Sequence, residues 1–463
     1  MDRPTAVPAD IPLMLQTVYA DLLDRARSDA FAQAFPADGT FVAKVVRGWR
    51  YWYFQASAAN GRGQKYVGPE TPDLLQQIEA HKAARSYQRD SRSLVAMLVR
   101  SGSLPRPLPP IGDIVAALAA AGVFRLRGVL VGTVAYQTYT AMLGVRLPEA
   151  MMQTEDIDVA QSAEVSAAVR DATPPMADVL RQVDATFRPV PHVDPGRVVR
   201  YTSASGLRVG FLTPNRGRDT EQSRWLQALG TDAQPLRFLD FLIRDPEPAV
   251  LLHGAGVLVS VPAPQRYALH KLIIARRRRE GDAKQSKDIA QAQALLAALV
   301  RRRPHELHAA WAEAFGRGKR WQHLLGEGLG LLHPATRDQV LLTVGAPRAV
   351  IPGLDLSIVP GPVGYDDEAQ VLRFFVQARS HASSTEGVQC IVEKQVLEGC
   401  FGPGPFDRTA CLAVFREHRE IIAQAARDQY LWQPVAFGHE VVLTRSSLES
   451  ATAALQGKAA AKH

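Results

Sequence analysis

Two aspartates set two residues apart, Asp156 and Asp158, and a Gly132-Thr133 pair at the end of an apolar run are the residues whose types and spacing could do chemistry. Residues 125–131 read as a buried strand, which Gly132-Thr133 turns into a helix over 134–143. The aspartates fall at a second short strand ending near Ala160. Alternation along a strand puts residues i and i+2 on one face, so both carboxylates are expected to face one cleft. Convergent carboxylates hold divalent cations, and Mg2+ takes a few carboxylates together with phosphate oxygens. A glycine and a hydroxyl at a helix N-terminus suit phosphate. Together the four residues predict metal-assisted chemistry on a nucleoside triphosphate. Taken alone, Asp-x-Asp also caps turns, and Gly132 also fits a tight strand-to-helix turn that needs no ligand.

The elements that must position these groups are legible from pattern. Residues 11–34 are apolar with a helical period and close at Pro36-Ala37-Asp38-Gly39. Residues 41–46, 49–57 and 64–67, with turns at Arg47-Gly48 and Asn60-Gly61-Arg62-Gly63, predict an antiparallel meander. Its aromatic cluster (Trp49, Tyr51, Trp52, Tyr53, Phe54, Tyr66) reads as a local apolar core, with a base-stacking surface as the alternative. One long polar helix is expected from Thr71-Pro72 to about Arg100, broken by the prolines of 105–110 and followed by a short helix over 111–121. Strand signals recur at 199–203 and 206–213. Residues 236–243 and 255–261 read as strand or short helix. A helix opened by Pro262-Ala263-Pro264 carries Tyr267, His270 and Lys271, and further helices cover 288–302 and 306–332. Residues 333–352 read as a linker. Beyond it, strands at 356–359, 371–377, 387–392 and 440–443, with helices from 394 and over 407–429, predict a small α+β domain. The expected boundaries are 1–104, 105–332, 333–352 and 353–455, with a disordered tail over 456–463.

Composition narrows the class. The chain has 463 residues, 46% hydrophobic and 22% charged, the balance of a multidomain globular protein. No apolar run reaches the ~18 residues of a membrane span, and no signal peptide is evident at the start of the sequence. Three cysteines, an odd number with no metal-ligand spacing, argue against a disulfide framework and for a cytoplasmic setting. The net charge of +8 is concentrated: ten Lys or Arg face three acids between Lys271 and Arg303. That stretch is either a solvated helical face or an electropositive wall for triphosphate or nucleic acid. Gly326-Glu327-Gly328-Leu329-Gly330 lacks the strand-before, helix-after setting of a nucleotide loop. His305 and His308 lack zinc-protease spacing.

Val131-Gly132-Thr133-Val134-Ala135-Tyr136, followed by Thr154-Glu155-Asp156-Ile157-Asp158-Val159, resembles the signature of the polymerase-beta-type nucleotidyltransferase superfamily, nearest to bacterial members of uncertain substrate. The similarity runs from about Phe41 to about Ala298. Residues 354–448 are similar to a separate small bacterial family of unknown function, through Gly387-Val388-Gln389-Cys390-Ile391-Val392 and Phe415-Arg416-Glu417-His418-Arg419-Glu420. The resemblance implies an α+β fold: a nucleotidyltransferase palm with a mixed sheet, an N-terminal β-meander with helices, a following helical region and the small C-terminal α+β domain. It implies NTP as donor, Mg2+ held by Asp156 and Asp158, and triphosphate contact by Gly132 and Thr133. Lys271 is the candidate basic residue, with Lys287 in reserve. The acceptor is a hydroxyl on RNA, protein or a small molecule. The superfamily also supplies a third carboxylate from a neighbouring strand; here that position falls to Gly210, with Asp240 as a substitute from another strand. Without that acid, the alternative is a catalytically degenerate nucleotide- or nucleic-acid-binding protein.

Overall fold

The structure, a computed structural model, describes residues 8–35, 40–46, 49–55, 64–81, 88–169, 171–215, 217–220, 222–279, 281–358, 363–379, 385–402, 406–432 and 440–460. Its contacts divide the chain into two compact units, Met1–His270 and Lys271–His463.

The first unit opens with α1 (Leu13–Ala34) and the meander β1 (Thr40–Val46), β2 (Trp49–Gln55) and β3 (Gln64–Pro69), antiparallel in that order. The aromatic cluster divides. Phe54 is buried against Phe35 and Phe41, whereas Trp49 is exposed. Both expected meander turns lie outside the described residues. The single helix expected over 71–100 is instead α2 (Pro72–His81) and α3 (Gln88–Arg100), with 82–87 outside the described residues. The segment 1–104, read above as a unit of its own, shares a core with later strands: Leu15, Tyr19 and Leu22 of α1 cluster with Val250 and Leu252. The Val250 N–H donates to the Tyr19 hydroxyl at 3.0 Å, and burial pushes that phenol up to about 12.

The remaining elements of this unit are α4 (Pro109–Ala120), β4 (Val129–Val131), α5 (Gly132–Leu143), β5 (Asp156–Ala160), α6 (Ala163–Ala168), α7 (Met176–Val183), β6 (Arg188–Pro189), β7 (Arg200–Thr202), β8 (Arg208–Asn215), β9 (Arg224–Leu226), β10 (Thr231–Arg237), α8 (Leu239–Leu242), β11 (Glu247–Leu251) and β12 (Val257–Val261). The sheet runs β4-β5-β8-β10-β9, with β7 beside the first half of β8 and β6 beside β7. It is mixed: β5 is antiparallel to β4 but parallel to β8, and β10 is also parallel to β8. β11 and β12 form a separate hairpin. The strand expected from 125 begins only at Val129, because the chain before it turns, with Arg127 left-handed at φ 72°.

Helix α9 (Pro264–Arg277) spans the division, and the second unit continues with α10 (Ala283–Arg302), α11 (Pro304–Gly316), α12 (Lys319–Gly330) and α13 (Pro334–Val344). Residues 333–352, expected to be a linker, therefore hold a helix. His333 caps it by accepting from the Ala335 N–H, and Pro334 starts it. Arg337 and Asp338 are buried on α13. Its charges are neutralised internally, so a polar sequence is packed like a core. A five-stranded sheet follows, made of β13 (Asp355–Ile358), β14 (Gly364–Asp366), β15 (Val371–Arg379), β16 (Thr385–Glu393) and, after α14 (Lys394–Phe401), α15 (Arg408–Glu417) and α16 (Arg419–Trp432), β17 (Glu440–Leu443). The long helix expected over 407–429 breaks at His418, which stacks on Phe401 with ring centroids 4.2 Å apart. The tail expected to be disordered from 456 is helical through α17 (Arg445–Ala460); 461–463 lie outside the described residues.

The glycines of 326–330 serve close packing. They lie on α12, where a Cβ on Gly326 would stand 2.0 Å from the Val350 carbonyl oxygen and one on Gly328 2.7 Å from the Leu272 Cβ. Gly326→Ala is expected to cost about 1–3 kcal/mol by overpacking against backbone, read as a lower urea midpoint of the full-length protein.

Candidate active site

The strand carrying the aspartates alternates as its sequence requires. Ile157 and Val159 are fully buried, while Asp156 and Asp158 are half-buried on the opposite face. Val209 and Phe211 of β8 are buried in the same way, so one side of the sheet is core and the other carries polar groups. The parallel register pairs Asp156 with Arg208 and Asp158 with Gly210. The Gly210 position inferred from sequence is thus the direct neighbour of Asp158.

Gly132 is the first residue of α5, immediately after three-residue β4, and takes a left-handed φ of +69°. An L side chain is strained there, and a Cβ would also stand 3.2 Å from Asp158 Oδ2. A Cβ on Gly210 would stand 2.9 Å from Asp158 Oδ1. The Asp158 carboxylate therefore lies between two backbones that present no side chain to it. The first turn of α5 has no side-chain cap, which leaves its N–H groups for a phosphate oxygen or water. Thr133, half-buried, is the second residue of that turn.

This turn is braced from behind. The Tyr267 hydroxyl donates to the Gly132 carbonyl at 3.0 Å. The Tyr267 ring packs on Tyr139 at 5.1 Å between centroids and on Tyr136 at 6.1 Å. Tyr139 donates to the Pro262 carbonyl at 2.8 Å. Burial raises the phenol of Tyr136 and, first among its causes, that of Tyr139 well above the usual tyrosine range, so both rings stay neutral supports.

Asp156 is engaged by a cation of its own sheet: Arg208 Nε donates to Asp156 Oδ1 at 2.6 Å. Arg200 of β7, paired in register with Gly210, is exposed on the far side of that glycine. Neither arginine was singled out from sequence, although parity contains the signal. Arg208 stands two residues before Gly210 as Asp156 stands two before Asp158, which places all four on one face.

Lys271 and Lys287 belong to the second unit. Lys271 Nζ bonds Asp288 Oδ1 at 2.5 Å, and Arg278 Nε bonds Asp288 Oδ2 at 2.6 Å. Lys287 is half-buried on α10, one residue before Asp288. Part of the basic excess between 271 and 303 is therefore an internal ion cluster around one buried carboxylate. Asp240 lies in short helix α8, and not on a strand as expected for a substitute acid. Among the described residues no group of three or more His, Cys, Asp or Glu side chains is arranged to hold a metal ion.

A half-buried Asp-x-Asp on a mixed sheet, facing the glycine start of a helix, defines a nucleotidyltransferase-type palm. Residues 110–316 match the family model described as Nucleotidyltransferase. Residues 360–438 match that of a protein of unknown function (DUF1488). No curated protein and no solved structure matches the chain. No helix among the described residues is long and apolar enough to cross a membrane.

Proposed function

We propose that the first unit binds an NTP with Mg2+ and transfers its nucleoside monophosphate to a hydroxyl acceptor on RNA, protein or a small molecule. The observation that carries this reading is the Asp158 carboxylate between the bare Cα atoms of Gly132 and Gly210. Two carboxylates plus phosphate oxygens satisfy the ordinary requirement of Mg2+, and Asp156 and Asp158 are the residues that would hold it. Bound there, it would neutralise charge on the transferring phosphoryl group. The N–H groups of Gly132 and Thr133 and the Thr133 hydroxyl take the triphosphate. Arg208, 44% exposed in its side chain, leaves Asp156 and turns to a phosphate oxygen, so that one charge-assisted pair replaces another. The acceptor oxygen bonds to the α-phosphorus, the bond to the bridging oxygen breaks, pyrophosphate leaves, and the hydroxyl proton passes to solvent. The reading rests on residues of the first unit alone and assigns no phosphate to Lys271, whose ammonium shares Asp288 with Arg278.

Gly210 favours a second reading, a degenerate nucleotide-binding protein. A missing general base is worth about 10²–10⁴-fold in rate. Incubation with each labelled NTP and total RNA and protein extracts decides between them, with Gly210→Asp run in parallel. Its added Cβ meets the movable ends of Asp158 and Arg200, so the fold should accept it. Label transfer by the wild type, raised at least about tenfold in the variant, is the outcome expected of an enzyme. Nucleotide binding without transfer in either protein supports the binding role.

A further inference from the structure

A second polar cleft of the first unit, of about 210 Å³, lies between α3, the 105–109 segment and the turn joining β11 to β12. Arg92, Arg100, Arg106 and His253 line it. Arg92 and Arg100 are eight residues apart on α3, which puts them on one face of that helix. Arg106 sits between Pro105 and Pro107, whose fixed φ angles limit the conformational freedom lost in presenting its guanidinium. All three arginines are exposed, and among the described residues none of them meets an acid.

His253 is built into the wall. Its Nε2 bonds Asp113 Oδ1 at 2.8 Å, and its ring lies against Gly112, where a Cβ would stand 2.2 Å from His253 Nδ1. Asp113 touches this wall through the histidine. Like charges held together without a counter-charge raise the free energy of the empty cleft, and an anion relieves it. Guanidinium forks match phosphate geometry, each giving two parallel N–H···O bonds. Drug-sized ligand sites run to about 300–1,000 Å³, so this smaller cleft suits a phosphoryl group with little attached, and not a whole nucleotide.

We infer that this cleft binds a phosphomonoester, from a small molecule or from the phosphorylated end of a nucleic-acid chain. The site is separate from Asp156 and Asp158 and stands whether or not nucleotidyl transfer does. The test is calorimetric titration of the full-length protein with inorganic phosphate and with phenyl phosphate, in EDTA at low salt. Saturable binding is expected, weakened at least about tenfold in Arg100→Ser/Arg106→Ser, as loss of charge-assisted bonds requires, and unchanged in Asp158→Asn. Both arginines are exposed, so the variant should keep the wild-type melting profile. Equal affinity in the double variant, no saturable binding, or loss in Asp158→Asn instead would each overturn the proposal. Competition by a short RNA carrying a 5′-phosphate, but not by its 5′-hydroxyl twin, assigns the ligand to a chain end. Failure of both RNAs to compete assigns it to a small ester. Equal competition by the two overturns the phosphomonoester in favour of backbone contacts.

Discussion

Asp158→Asn is expected to abolish Mg2+-dependent nucleotide binding and, with it, any label transfer. Of the two aspartates, Asp158 has the less replaceable place. Its oxygens face Gly132 on one side and Gly210 on the other, and neither glycine can supply a substitute carboxylate. Amide for carboxylate removes the negative charge while keeping the shape. Stabilisation by a bound cation is worth several kcal/mol at the transition state, or about 10²–10³ in rate. Asp156→Asn should weaken binding less, because it also frees Arg208 for phosphate. Fluorescent-nucleotide titrations with and without Mg2+ read both variants. Affinity in Asp158→Asn that matches wild type, with the same Mg2+ dependence, would remove the assigned site.

The second large effect concerns stability. Asp338 of α13 accepts from Arg337 Nε at 2.9 Å and from Arg348 Nη2 at 2.7 Å. Arg348 also lies over the Tyr430 ring, 4.2 Å from its centroid, so the cluster joins α13 to α16. Burial alone would raise the Asp338 pKa, but the two guanidiniums outweigh it and hold the carboxyl below its usual value of 3.8. Asp338→Asn removes the carboxylate charge that both guanidiniums share, Arg337 among them at 2% exposure. Breaking one side of a buried ion pair costs about 3–5 kcal/mol, which should show as a clear drop in the urea midpoint at neutral pH. A depressed folded pKa gives stability that is present above the unfolded value and lost as pH falls through the folded one. The gap between wild type and variant should therefore be constant from pH 5 to 8 and close below about pH 4. A gap that persisted at lower pH would mean that packing, and not charge, holds the cluster.

Much of the first unit was readable because period and punctuation agreed there. Ile157 and Val159 alternate with Asp156 and Asp158, and the Gly-Thr turn stands where strand pattern gives way to helix pattern. Gly210 came from the resemblance, as the place of the superfamily's third carboxylate, and β8 alternates there as β5 does. Failures came where tertiary contacts override local signal. Residues 333–352 read as a linker because Arg337, Asp338 and Arg348 look like solvent-facing charges, and only their mutual pairing makes burial possible. Lys271, the basic candidate that the resemblance suggested, gives no sign in sequence of its bond to Asp288, seventeen positions on. Parity places Arg208 on the face of Gly210, but which residue of the neighbouring parallel strand it meets has no signature in either strand alone.

The nucleotidyltransferase match begins at residue 110, yet water would find that boundary open. Helix α1 covers Val250 and Leu252 and answers the Val250 amide, the Ile11 N–H reaches the Gly144 carbonyl at 2.9 Å, and Arg125 bonds both Asp171 and the Tyr66 carbonyl at 2.7 Å. Cut free at 110, the palm would carry raw apolar surface and orphaned polar groups at three separate places. The stretch that the family match spans and the piece that solvent would tolerate as a particle are, in this chain, of different length.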